Sequence, residues 1–240
     1  MTAIGMSQGR ARSVGRRFYL VMSLVMAAVF VAGFSQTIPG DIATPGFPPL
    51  LVLHGVVFTL WVLLFVAQPT FVARGSLKLH RRIGMVGAGL AVAMVVMAWA
   101  ATLFTIRAHG VPAAFPPGVF LVMNCLGILV FGGLVAAGVR LRKSSEWHKR
   151  LMLCATASIL APGLGRFLPM ASFGAVAPLV MFAVADLITF AGPVADLIVR
   201  RRIHPAYYWG VGAILGYELL IGPLGLAPPT LALVQALQAR

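Results

Sequence analysis

Residues 50–73 read LLVLHGVVFTLWVLLFVAQPTFVA, with no Asp, Glu, Lys or Arg from end to end. About 20 apolar residues, at ~1.5 Å of rise each, cross the ~30 Å hydrocarbon layer of a bilayer, so the stretch predicts a membrane-spanning helix. Working outward, six further stretches share its character: 18–34, 83–104, 118–139, 151–170, 176–199 and 206–226. The chain is 60% apolar and only 10% charged, which suits a polytopic membrane domain with short loops and no soluble domain. The expected fold is an all-α bundle of seven transmembrane helices over residues 18–226. A basic N-terminal segment, 1–17, precedes it and a tail, 227–240, follows. The first span comes after an arginine-rich stretch, as a signal peptide would. It runs on to Ala32-Gly33-Phe34 without a clean small-x-small cleavage site, so it reads as an uncleaved anchor.

The charges orient the bundle. Nineteen Lys and Arg stand against five Asp and Glu, and sixteen of the nineteen fall on one side of the expected membrane. They are Arg10, Arg12, Arg16 and Arg17; then Arg74, Lys78, Arg81 and Arg82; then Arg140, Arg142, Lys143, Lys149 and Arg150; then Arg200, Arg201 and Arg202. Only Arg107 and Arg240 lie on the other side, and Arg166 lies inside a span. The positive-inside rule puts the N-terminus in the cytoplasm and the C-terminus outside, in a bacterial-type inner membrane. The basic excess belongs to loops facing anionic lipid, and nucleic acid is not an expected partner. Cys125 and Cys154 fall in different spans at different depths, too far apart for a disulfide.

Proline and histidine suggest a duplication. Pro48-Pro49 precedes His80-Arg81-Arg82, and Pro116-Pro117 precedes His148-Lys149-Arg150. The step from proline to histidine is 31 residues in both, and the offset between the copies is 68. Residues 48–104 and 116–170 therefore read as two parallel copies of one helical hairpin. Residues 176–226, with Arg200-Arg201-Arg202 and His204 at the turn, read as a looser third version.

Two groups of residues are candidates for chemistry. His80 and His148 open equivalent helices on the basic side. Two imidazoles meeting across a bundle suit axial ligation of a b-type haem, with neighbouring arginines on the propionates. Headgroup contact or helix capping accounts for the same residues without a cofactor. No tight ligand spacing such as His-Glu-x-x-His occurs, so no metal-ion site is expected. The second group shares a layer ~6–15 Å below the outer boundary: His54, Asn124, Arg166, Asp186 and Glu218, one from each of five spans. A charge in hydrocarbon costs at least ~2.5–3.5 kcal/mol, so these groups are expected to face each other or a wet cavity. Arg166 is long enough to reach Asp186 or Glu218. Pro162, Gly163, Gly165 and Pro169 interrupt its helix and free backbone groups to line a pocket. Such a pocket suits a small polar or anionic ligand, a quinone headgroup or protons. One buried Arg–carboxylate pair bracing the bundle is the plainer alternative. Asp196, four residues before Arg200, reads as one half of an i, i+4 ion pair.

Leu53-His54-Gly55, Trp61, Gln68 and Leu79-His80-Arg81-Arg82-Ile83-Gly84 resemble a group of uncharacterised bacterial multi-pass membrane proteins. So do Trp147-His148-Lys149-Arg150-Leu151-Met152-Leu153, Arg166 and His204-Pro205. The resemblance covers about residues 50–210 and implies an integral membrane fold without implying a reaction. A looser likeness to small haem-bearing membrane cytochromes rests on histidines at helix ends. The paired histidines at two depths on one helix are missing here, which argues against two haems.

Three functions from different classes follow. The first is a membrane redox protein with haem b between His80 and His148 and a quinone or proton site in the outer layer. The second is a transporter or ligand-binding protein built on the intramembrane cluster. The third is a non-catalytic subunit packed into a larger membrane complex.

Overall fold

A computed structural model describes residues 3–239. Arg240 lies outside the described residues, as do the side chains of Arg10, Arg12 and Arg16. Every regular element among the described residues is helical. In order they are α1 (Ala3–Phe34), a short α2 (Ile38–Ala43), α3 (Pro49–Ala73), α4 (Leu77–Arg107) and α5 (Pro117–Arg140). Then come α6 (Ser145–Ala157), α7 (Ala161–Phe167), a 3-10 stretch (Met170–Val176), α8 (Ala177–Arg200), α9 (Pro205–Gly225) and α10 (Pro228–Gln238).

Five helices are long and apolar enough to cross a membrane: Arg17–Phe34 of α1, then α3, α4, α5 and α8. A sixth is reached if α9 and α10, which meet at a 70° bend, count as one span. The chain is therefore an integral membrane protein of the all-helical class. Prolines start α3, α5, α8, α9 and α10. Their missing N–H falls where a helix has no internal acceptor anyway.

The expected span 151–170 is the one that differs most. It is not a single helix. α6 stops at Ala157, a turn occupies 158–160, and α7 runs only to Phe167. Pro162 gives the reason. A proline ring clashes with the carbonyl four residues back and brings no N–H to bond it. Here that carbonyl belongs to Ser158, and the Tyr217 hydroxyl of α9 donates to it at 3.4 Å. The two hairpins of the expected repeat also part company here. The return helix of the first, α4, runs 31 residues unbroken, and that of the second, α6, runs 13. Their likeness stops at the proline starts and the basic turns.

Successive helices pack on each other from α3 through α6, and α9 closes against α5 and α6. On the other flank α1 packs on α3 and α7. Any side chain at Gly33 would run into the Gly163 carbonyl, so α1 and α7 meet backbone to backbone. The core between these layers holds Met26, Met94, Phe131, Cys154, Leu160 and Ile214. Trp61 stands edge-on to Phe131 at 4.9 Å between ring centres, and its indole donates to the Thr156 hydroxyl at 3.3 Å. The tail forms a helix. α10 lies across the ends of α4 and α5, burying Val234 and Leu237 with Ile106, Leu121 and Cys125.

Candidate functional site

The basic turns converge at one end of the molecule. α6 begins with Glu146, His148, Lys149 and Arg150 in its first two turns, so all four project into the same end layer. Arg150 is 1% exposed. Its guanidinium donates through Nε to Asp196 Oδ2 at 2.8 Å and through Nη2 to Asp196 Oδ1 at 2.5 Å. Its Nη1 donates to both the carbonyl and the carboxylate of Glu146 at 2.8 Å. Glu146 also holds Lys149 at 2.7 Å and Arg200 at 2.5 Å. The backbone N–H of His204 donates to Asp196 Oδ2 at 3.2 Å. One network thus joins α6, α8 and the start of α9, buried at Arg150 and Asp196 and open to solvent at Glu146 and Arg200. The Tyr207 ring lies 5.6 Å from the Arg150 guanidinium, and the Tyr19 and Tyr207 hydroxyls meet at 3.3 Å.

This network revises the expectation for Asp196. Arg200 stands 3.7 Å from it as an i, i+4 neighbour, but the close partner is Arg150, from another helix. The pairing also explains why Arg150 and Asp196 tolerate burial. A guanidinium fork matched to a carboxylate satisfies both charges with directional bonds. Burial alone would raise the Glu146 carboxyl. Hydrogen bonds from Lys149 and Arg150 outweigh it and hold the group at about 2. Burial lowers Lys149, with Glu146 working the other way. Burial also lowers the His204 imidazole, helped by the Arg150 charge. That ring accepts from the Ala206 N–H at 3.1 Å and so caps α9.

His80 and His148 do come together. Their ring centres are 6.1 Å apart and their planes nearly perpendicular, at 85°. His148 Nδ1 lies 2.9 Å from the Gly138 carbonyl of α5. A carbonyl only accepts, so Nδ1 carries the proton and Nε2 keeps its lone pair. On His80 the partner is the Gln68 amide of α3. In the orientation that satisfies its neighbours, Gln68 accepts from the Gly84 N–H at 3.3 Å. It donates to the His80 carbonyl at 3.2 Å and to His80 Nδ1 at 2.5 Å. His80 then carries its proton on Nε2.

The five residues of the apolar layer divide. Asp186 of α8 and Glu218 of α9 are neighbours, and Asp186 Oδ1 is buried with no partner. Arg166 does not join them, and the expected Arg–carboxylate pair is not formed. Its guanidinium lies 4.5 Å from the Phe34 ring centre and donates to the Pro162 carbonyl of its own turn at 3.0 Å. The short α7 turns Arg166 toward Phe34 of α1. His54 stacks on Phe58 at 4.3 Å, with Nδ1 buried and unpartnered. Asn124 donates to the Phe120 carbonyl at 2.8 Å, within its own helix.

Among the described residues, no group of three His, Cys, Asp or Glu side chains is placed to hold a metal ion. No protein-family model, no curated protein and no solved structure matches the chain.

Proposed function

We propose that this integral membrane protein is a redox protein whose His80 and His148 are the axial ligands of a b-type haem. The observation that carries the reading is the meeting of these two rings. The two imidazoles come from different hairpins and stand 6.1 Å apart between ring centres, so both would be at hand if the hairpins opened around a haem. His148 fits the role directly: Gly138 orients the ring through Nδ1 and leaves Nε2 free to bind. His80 fits once the Gln68 amide turns its oxygen to Nδ1, which moves the ring proton off Nε2. The rings stand edge to face with their centres 6.1 Å apart, so a porphyrin would have to part the α3–α4 and α5–α6 hairpins at this end. Arg81, Arg82 and Arg142 of the same turns suit its propionates. A haem held there would pass one electron at a time. In this reading the basic turns lie on the cytoplasmic side of a bacterial inner membrane, with the N-terminus inside and the C-terminus outside.

The absorption spectrum of the purified protein tests this, as isolated and after dithionite. A Soret band that sharpens on reduction, and that His80→Ala and His148→Ala both remove, supports ligation. A colourless, well-folded protein from haem-replete cells rejects it.

A second reading is a proton-coupled transporter or ligand-binding membrane protein. The Asp186–Glu218 pair favours it, because a carboxyl pair within the bundle holds a proton that a ligand can displace. Arg166 stands apart from that pair, so any anionic ligand or quinone headgroup would meet the carboxyls without the arginine. A role as subunit of a larger complex has no observation of its own.

A further inference from the structure

We propose that the cleft between the basic ends of α8 and α9 is a binding site for an anionic phospholipid, with the acyl chain in the cleft and the phosphate on Arg201 and Arg202. The cleft is an open groove of about 210 Å³. Its walls are Phe190 and Pro193 of α8, Ile203 of the turn, and Tyr208, Val211 and Gly212 of α9. It runs alongside two helices of the membrane domain, so lipid is the medium that reaches it.

Charge singles out the headgroup. Ile203, at the mouth of the cleft, directly follows Arg200-Arg201-Arg202. Arg200 is spent on Glu146 and Asp196. Arg201 and Arg202 are exposed and make no ion pair among the described residues. Arg201 ends α8 in the left-handed conformation, φ 58°, which side chains other than glycine adopt at a cost. That turn stops the helix and leaves two unspent arginines in the residues that lead into Ile203 of the cleft wall. Guanidinium pairs with phosphate in a fork, and basic pockets between membrane helices are known places for anionic headgroups. The site does not depend on haem.

Protein in nanodiscs of phosphatidylglycerol or phosphatidylcholine tests the assignment, with retained lipid counted by native mass spectrometry and thermal unfolding followed in parallel. Phosphatidylglycerol is expected to be retained and to raise the melting temperature over phosphatidylcholine. Arg201→Gln with Arg202→Gln is expected to cut that preference ~30-fold, at the per-arginine worth of attraction to an anionic surface. Gly212→Phe places a ring in the cleft from a position whose Cβ meets nothing within 4 Å, and lipid retention is expected to fall with helix content by circular dichroism unchanged. Tyr208→Ala, at a site 65% exposed, removes a wall and gives the same loss by another route. A phosphatidylglycerol preference that survives the double glutamine variant overturns the headgroup assignment. Wild-type retention in both cleft variants overturns the acyl assignment. Equal protection by inorganic phosphate shows an anion site without lipid, and likewise rejects the proposal.

Discussion

Arg150 and Arg166 carry the same guanidinium in very different company. Arg150 donates four hydrogen bonds, three to carboxylate oxygens and one to a carbonyl, and is buried to 1% exposure. Arg166 donates one, to its own turn, and rests on a phenyl face. The difference lies in the elements that hold them. Arg150 sits in the second turn of α6, wedged against α8, where Asp196 supplies an oxygen for each of two donors. Arg166 sits in a helix of seven residues, which aims its side chain at α1 and away from the carboxylates of α8 and α9. The basic end thus ties its buried arginine into an ion network, whereas the arginine of the apolar layer stands apart from the carboxyls there. A charge joins a network through the direction in which its helix turns it, as well as through its depth.

The largest expected break in that contrast is Asp196→Ala. It strands the buried Arg150, and removing one partner of a buried ion pair costs about 3–5 kcal/mol. Asp186→Asn keeps shape and hydrogen bonding at the carboxyl pair, and its cost is expected to stay below about 1 kcal/mol. Denaturant titration in detergent compares the two. Equal losses would mean that the apolar layer carries as much of the fold as the ion network, and the contrast fails. Tyr217→Phe is intermediate. It removes the hydroxyl that meets the Ser158 carbonyl at the α6–α7 break, and polar contacts between membrane helices average ~0.6 kcal/mol. A loss no larger than that of an exposed control such as Tyr208→Phe would show that lipid or water serves Ser158 equally well.

The smallest effect is a pH dependence at the basic end. The Glu146 carboxyl is held at about 2 in the folded chain, below the ordinary value of 4.5. A depressed carboxyl stabilises the fold above its unfolded value and loses that contribution as pH falls through the folded one. Stability should therefore decline between about 4.5 and about 2, and Glu146→Gln should flatten this window. Solvent reaches the carboxylate, so the slope is shallow. A slope unchanged in the glutamine variant assigns the acid sensitivity to other groups.

Much of this architecture was legible in the chain. Continuous apolar runs bounded by prolines and basic turns mark α3, α4, α5 and α8 to within a few residues, because lipid demands length and hydrophobicity of every helix it surrounds. The convergence of His80 and His148 followed from matching their positions in the two hairpins. The Arg150–Asp196 pair escaped, since its members stand 46 residues apart in chain and no periodicity links them. The local signal, Arg200 four residues from Asp196, pointed to the lesser partner. Glu146 four residues before Arg150 was the clue that a larger cluster existed. Arg166 was misdirected for a related reason. Counting residues from a boundary gives height along a helix, whereas the neighbour a side chain meets depends on the angle around it, and the proline-broken α7 resets that angle.

The break at Ser158 also bears on how the protein is made. The insertion machinery sorts segments by length and apolarity, and α6, with 13 residues and a charged first turn, offers too little of either to stay in lipid by itself. Its neighbours α5 and α8 meet both demands. α6 is therefore expected to enter the membrane domain through its partners, the Asp196 carboxylate and the packing faces of α5 and α9, and a variant that weakens those partners is expected to loosen this segment first.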